Sequence, residues 1–190
     1  LDINIVRPDI NKCFADFTSN GKDFLYALGA IKNVGYEAIT NVVKEREKNG
    51  KFKTLTDFTN RVKPNDINKL QLEGLVAAGV FDSLNNNRQS LFNSIPNIIL
   101  KSKNYFENNL LNQIDLFQEE KEIDDTYLIK IDDWNSDTKL SKEFETLGFF
   151  ISDHPLNQYK TIFNQYNIIN YENFEINKDI LSSNIACTVL

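Results

Sequence analysis

Apolar positions in the first half of the chain recur with the period of a helix, and short glycine-bearing turns interrupt them. Ile39, Val42, Val43 and Arg46 fall at i, i+3, i+4 and i+7, which predicts a helix over Tyr36–Arg46 with three apolar residues on one face. Lys44, Glu45, Glu47 and Lys48 lie mostly off that face, and Gly50 marks the stop. Leu55, Phe58 and Val62 give a second helix one apolar side. It starts at Thr54, with Asp57 standing where a capping box usually carries Glu, and Pro64 follows its end. A third helix begins at Asn68 as N-cap, with Leu72, Leu75 and Val76 together, and a fourth covers Arg88–Ile95. Pro96 opens a further amphipathic segment, Ile98–Leu111. Residues 1–28 follow a different pattern. Leu1–Val6 alternates like a strand, and Ser19-Asn20-Gly21 reads as a turn between Phe14–Phe17 and Phe24–Tyr26, whose aromatic residues are expected in the core.

The glycine turns matter because of what they join. Gly29-Ala-Ile-Lys-Asn-Val-Gly35 leads from a brief helical segment into the first helix, and Ala77-Ala-Gly-Val-Phe-Asp82 leads out of the third. A turn that opens a helix leaves backbone N–H groups unpaired, and such groups attract phosphate. Candidate phosphate contacts are Lys32, Asn33, Val34 and Gly35 in the first turn, and Ala78 and Gly79 in the second. Asn33 tolerates left-handed backbone, and Gly35 permits close approach to a ligand. Basic residues gather nearby: Lys44, Arg46, Lys48, Lys51, Lys53, Arg61 and Lys63. The same pattern also fits a plain helical hairpin with solvated lysines.

Charge sharpens this picture only when the chain is divided. The net charge is −6, but residues 1–104 hold 15 Lys and Arg against 11 Asp and Glu, while residues 105–190 hold 6 against 16. The first part suits a phosphate partner and the second does not. Two cysteines and one histidine leave no disulfide framework, zinc cluster or histidine triad to build. Asp153 or His154, before Pro155, reads as a helix start, and His154 as a structural residue, an N-cap or a satisfied hydrogen-bond partner. No apolar run reaches a membrane span, and a reducing cytoplasmic setting is expected. Trp134 is expected in the core beside a helix within Leu140–Phe150, and Ile185–Leu190 reads as a strand.

Gln113-Ile114-Asp115-Leu116-Phe117 precedes an acidic polar run, Gln118–Asp125. Leu116 and Phe117 could fill an apolar pocket while the Gln113 amide fixes register, with the acidic run as tether. Leu110, Leu111, Ile114 and Phe117 also keep helical spacing, so the segment could equally close an ordinary helix.

Ile31–Gly35 resembles the hairpin of a helix-hairpin-helix DNA-binding motif, with Asn33 in place of its first glycine. Tyr26–Gly35, Leu75–Asp82 and Glu145–Tyr159 resemble the C-family bacterial replicative polymerase, the polymerase III alpha subunit, in family order. Gln113–Phe117 resembles the bacterial sliding-clamp motif. The resemblance implies a mainly α fold: the end of the fingers region (1–28), a tandem helix-hairpin-helix unit (29–95), a connector helix with clamp-binding tether (96–125), an acidic mostly helical connecting region (126–182) and a truncated OB-fold strand (183–190). It implies a fragment of a template-directed DNA polymerase whose Mg2+-binding catalytic aspartates lie upstream of Leu1, so that no cofactor and no catalytic residue falls within this chain. Its implied partners are primer–template duplex, the sliding clamp and other replicase subunits. Two rivals stand beside it: a DNA-repair factor with hairpins and a clamp motif, and a nonenzymatic helical scaffold.

Overall fold

The N-terminal alternation becomes a small sheet. In the computed structural model, which describes residues 4–110, 127–169, 171–176 and 182–187, β1 (Asn4–Val6) pairs in parallel with β3 (Asp23–Leu25), Ile5 opposite Phe24. β2 (Thr18–Ser19) pairs with β3 in antiparallel fashion, giving the order β1-β3-β2. The turn falls at Asn20–Lys22, one residue later than expected because Ser19 ends β2, and the aromatic residues are not all core. Tyr26 is buried, whereas Phe17 and Phe24 stack 5.5 Å apart and remain 50% and 37% exposed. A two-residue edge strand cannot cover that face of the sheet.

The chain divides into two units, Leu1–Phe149 and Phe150–Leu190. In the first, α1 (Tyr36–Asn49) buries Ile39, Val42, Val43 and Arg46, so its fourth stripe position is a charged one. The Arg46 guanidinium is satisfied by the carbonyls of Ile10 (2.7 Å) and Cys13 (2.6 Å), which ties the N-terminal segment to the helix. α2 (Leu55–Arg61) is capped by Thr54, whose hydroxyl accepts from the Asp57 N–H at 3.0 Å. The reciprocal half of the box is displaced: the short Asp57 carboxylate takes the N–H of Lys53, not of Thr54. α3 (Lys69–Ala77) has the complete box, because Gln71 is long enough to reach back to the Asn68 N–H. α4 (Arg88–Asn93) and α5 (Ile95–Leu110) follow.

Phe58 sits at the centre of this unit, edge-on to Phe52 and Phe81 at 5.2 and 5.0 Å. Residues 127–135 are stitched to α4 and its exit. Ser90 donates to the Ile129 carbonyl, the Ile129 N–H reaches Ser94 Oγ, and Asn87 donates to the Ile131 carbonyl. Trp134 ends this segment half-buried against Phe92 rather than in the core, because the residues around it lie on the surface. α6 (Ser136–Leu147) starts earlier than the hydrophobic spacing suggested, since Asn135 caps it, and Gly148 ends it in left-handed backbone at φ 83°.

In the second unit His154 caps a 3-10 turn, Pro155–Tyr159, its Nδ1 accepting from the Leu156 N–H at 3.2 Å. The capping role read from the sequence is the observed one. α7 (Lys160–Gln165) and α8 (Tyr171–Ile176) complete the helices. Of the strand expected over Ile185–Leu190, residues 185–187 are described and carry no strand. A strand needs a ladder, and among the described residues none pairs with them. Among the described residues the chain is mainly helical with one small sheet.

Candidate nucleic-acid interface

The first hairpin grows from a 3-10 turn, Leu28–Ala30, whose Leu28 is fully buried. Ile31, 2% exposed, plugs the turn into the core, and the chain then rises to the surface. Lys32, Asn33, Gly35 and Tyr36 are exposed and Val34 is half-buried. Asn33 takes the left-handed conformation at φ 67°, which the sequence reading said it tolerates. Gly35 does not: at φ −73° it is the extended N-cap of α1, and any residue could adopt that backbone. What counts there is the missing Cβ, which would come within 2.9 Å of Gln71 Nε2. Beneath the turn, a Cβ on Gly74 of α3 would stand 2.6 Å from the Lys32 carbonyl oxygen, so a glycine lets α3 press against the hairpin.

The backbone donors divide into spent and unspent. The Lys32 N–H donates to the Thr146 carbonyl of α6 at 3.1 Å, and the Val34 N–H to the Ile31 carbonyl at 3.1 Å. Val34 is therefore not a phosphate donor, because its N–H closes the turn. Among the described residues no hydrogen bond takes the N–H of Asn33 or Gly35, nor those of Tyr36–Ala38 at the start of α1. These donors, together with the Lys32 ammonium, form an exposed cationic turn at the positive end of a 14-residue helix. Beside it the Tyr36 hydroxyl donates to Asp16 at 2.5 Å, and that hydrogen bond, with the carboxylate charge, raises the phenol pKa.

The second hairpin is built differently. Ala78 is 2% exposed and Gly79 is buried, and the N–H groups of Ala78, Gly79 and Val80 donate to the carbonyls of Gly74, Val76 and Leu75, each at 3.0 Å. Gly79, at φ 76°, lies against Arg88, whose Nη2 a Cβ would meet at 2.2 Å. The guanidinium is itself 5% exposed. It grips Asp82 through Nε (2.9 Å) and Nη2 (2.7 Å), and Nη1 reaches Glu143 at 3.2 Å and the Ala77 carbonyl at 3.3 Å. Burial pulls the Arg88 pKa down, but Asp82 and Glu143 outweigh it and hold it above the usual value. The N–H groups of Ala78 and Gly79, which the sequence offered as phosphate contacts, thus donate to carbonyls of α3, beneath a paired arginine.

The sequence reading missed the Asp82–Arg88–Glu143 cluster. Its only local signal was an arginine six positions after an aspartate, and Glu143 lies 55 residues further on. Among the nearby cations, Arg61 is committed to Glu45 and Asp57, both at 3.0 Å, and to the Gly50 carbonyl at 2.8 Å. Lys44, Lys48 and Lys63 line a surface groove of about 250 Å³ with Asn41, Glu45 and Asp66. Gln113, Ile114, Asp115, Leu116 and Phe117 lie outside the described residues. Among the described residues no three His, Cys, Asp or Glu are placed to hold a metal ion. Among the same residues no helix is long and apolar enough to cross a membrane.

Residues 2–91, which include both hairpins, match the helix-hairpin-helix motif family. The chain is also 41% identical over 174 residues to the DNA polymerase III subunit alpha of Rickettsia prowazekii, covering 88% of this chain and 15% of the relative. The corresponding figures for Borreliella burgdorferi are 34% over 174 residues, covering 90% and 15%. For Caulobacter vibrioides they are 35% over 154 residues, covering 81% and 14%. The chain thus spans about a seventh of the length of these relatives. Over most of its own length, it matches a helix-hairpin-helix-bearing region of the bacterial DNA polymerase III subunit alpha.

Proposed function

We propose that this chain holds duplex DNA by its backbone, through the first hairpin, as part of a DNA-directed DNA polymerase. The observation that carries the reading is the exposed turn at Lys32–Gly35, with unspent N–H groups at Asn33 and Gly35 and at the first turn of α1. Backbone donors and one ammonium recognise phosphate oxygens and carry no base information, so the grip is sequence-independent. Nucleotidyl transfer would fall to aspartates elsewhere in the polymerase, which would hold the Mg2+ that this chemistry needs. The part of this chain is to position duplex for that step.

A second element of the proposal is processivity. Gln113–Phe117 would dock Leu116 and Phe117 into an apolar pocket of a sliding clamp, holding the polymerase on DNA between additions. Cytoplasmic location and contacts with further replicase subunits follow from the same reading.

Two titrations test it. DNA affinity measured against salt should give a log–log slope of about −0.9 per phosphate neutralised, similar for unrelated duplex sequences. A flat salt response would overturn the hairpin grip. Calorimetric titration with a bacterial sliding clamp should show binding that Leu116→Ala/Phe117→Ala abolishes, with DNA affinity and helical content unchanged. Loss of helical content in that variant would instead make the pentapeptide part of a packed helix.

A further inference from the structure

We propose that α6 is a working part of the DNA-binding unit, and that Glu143 is a positioning residue that fixes the first hairpin through Thr146 on the same helix. This rests on the reading that the first hairpin touches DNA. Helix α6 lies beyond the family match at residues 2–91 and within the acidic stretch that the sequence presents as a connector. Two of its residues, one turn apart, nevertheless reach the two hairpins separately.

Thr146 is in the last turn of α6, where carbonyls have no partner within the helix. Its carbonyl is satisfied by the Lys32 N–H at 3.1 Å, so the first hairpin supplies the cap that α6 needs there. Glu143 is fully buried, and its carboxylate meets Arg88, which also holds Asp82 of the second hairpin. Apolar contacts through Leu140 and Leu147 would let a helix slide or rotate by small amounts. A buried carboxylate on a fixed guanidinium does not, because displacement strands a charge away from water. Glu143 therefore sets the rotation and axial position of α6, and that setting places the Thr146 carbonyl under Lys32. The DNA-facing turn is held from below by Gly74 and from the side by α6.

The test uses the full chain. Glu143→Gln keeps the shape and removes the charge. Amide exchange at Lys32 should quicken by about tenfold while exchange at Ile39 within α1 is unchanged. DNA affinity at fixed salt should fall by about tenfold, within the range usual for coupling between sites. Arg88→Met/Glu143→Met, an apolar pair of similar length, should dock α6 again and restore both readouts. If Glu143→Gln lowers overall helicity, the native chain still decides. Binding is reciprocal, so duplex DNA should slow exchange at the Phe144–Gly148 amides although α6 touches no phosphate. Unchanged Lys32 exchange in a folded Glu143→Gln chain overturns the clasp. Faster Lys32 exchange with undiminished DNA affinity leaves the clasp standing and overturns the DNA reading on which the proposal rests. In the native chain, no slowing in α6 on DNA binding overturns the coupling.

Discussion

The two hairpins of this chain follow one plan and end in opposite states. Each joins helical segments through a short glycine-bearing turn, and each contains one residue in left-handed backbone: Asn33 at φ 67° in the first, Gly79 at φ 76° in the second. The first turn is exposed and keeps donors at Asn33 and Gly35 unspent. In the second the N–H groups of Ala78, Gly79 and Val80 are all used within the turn, and Arg88 fills the space above Gly79. A glycine turn between helices is therefore not itself an anion site. An anion needs donors that point outward and space above them, and in the second turn the donors are spent and a side chain fills that space. The second hairpin has turned inward, and Arg88 ties it to α6 through Glu143.

The sharpest way to break that contrast is Gly79→Ala. A Cβ at this position has two costs. Left-handed backbone disfavours any L side chain by about 1–2 kcal/mol. The new atom also overlaps Arg88 Nη2 and drives the guanidinium off Asp82 and Glu143. Disrupting a buried pair costs about 3–5 kcal/mol, so with the backbone cost a total loss of about 4–7 kcal/mol is expected from urea unfolding. A loss of only about 1–2 kcal/mol, the backbone cost alone, would mean that Arg88 can step aside, and the second turn would no longer differ in kind from the first.

Lys32→Glu probes the other side with a smaller effect. Lys32 is exposed, so unfolding stability should move by less than about 0.5 kcal/mol. DNA affinity should drop, and the log–log salt slope should shrink by about one phosphate equivalent. An unchanged slope would place the phosphate contacts elsewhere, with the lysine-lined groove of Lys44, Lys48 and Lys63 as the next place to look.

How legible this was depended on whether the determining contacts were local. The stripe Ile39, Val42, Val43 on α1, the N-caps Thr54 and Asn68, and the His154 cap were readable because each is settled within four residues. Asn33 was readable as a left-handed position for the same reason. The inward turn of the second hairpin was not, because the group that closes it depends on Glu143 from a distant helix. The exposure of Phe17 and Phe24 escaped for a related reason: aromatic character predicts burial, but only neighbouring elements can supply it. Gly35 was read for the close approach its missing side chain permits, but the neighbour that fills this space, Gln71 of α3, is 36 residues away and was not legible.

Asn33→Gly should have the smallest effect and says most about which atoms bind. Asn is among the best non-glycine residues for left-handed backbone, yet it still carries part of the steric penalty that glycine lacks. Against that gain, glycine increases the entropy of the unfolded chain. The two nearly cancel, leaving a net change within about 0.5 kcal/mol in either direction. The N–H of residue 33 is retained and the turn keeps its shape, so DNA affinity should stay within about twofold of the parent. Asn33→Val is the matching control, because a β-branched residue resists φ 67° and should distort the turn and weaken binding. If Asn33→Gly instead weakened DNA binding as much as Lys32→Glu does, the Asn33 side-chain amide would be the contact. The hairpin would then act through that side chain and not through its backbone, and the contrast with Gly79 would rest on chemistry at residue 33, not on spent and unspent N–H groups.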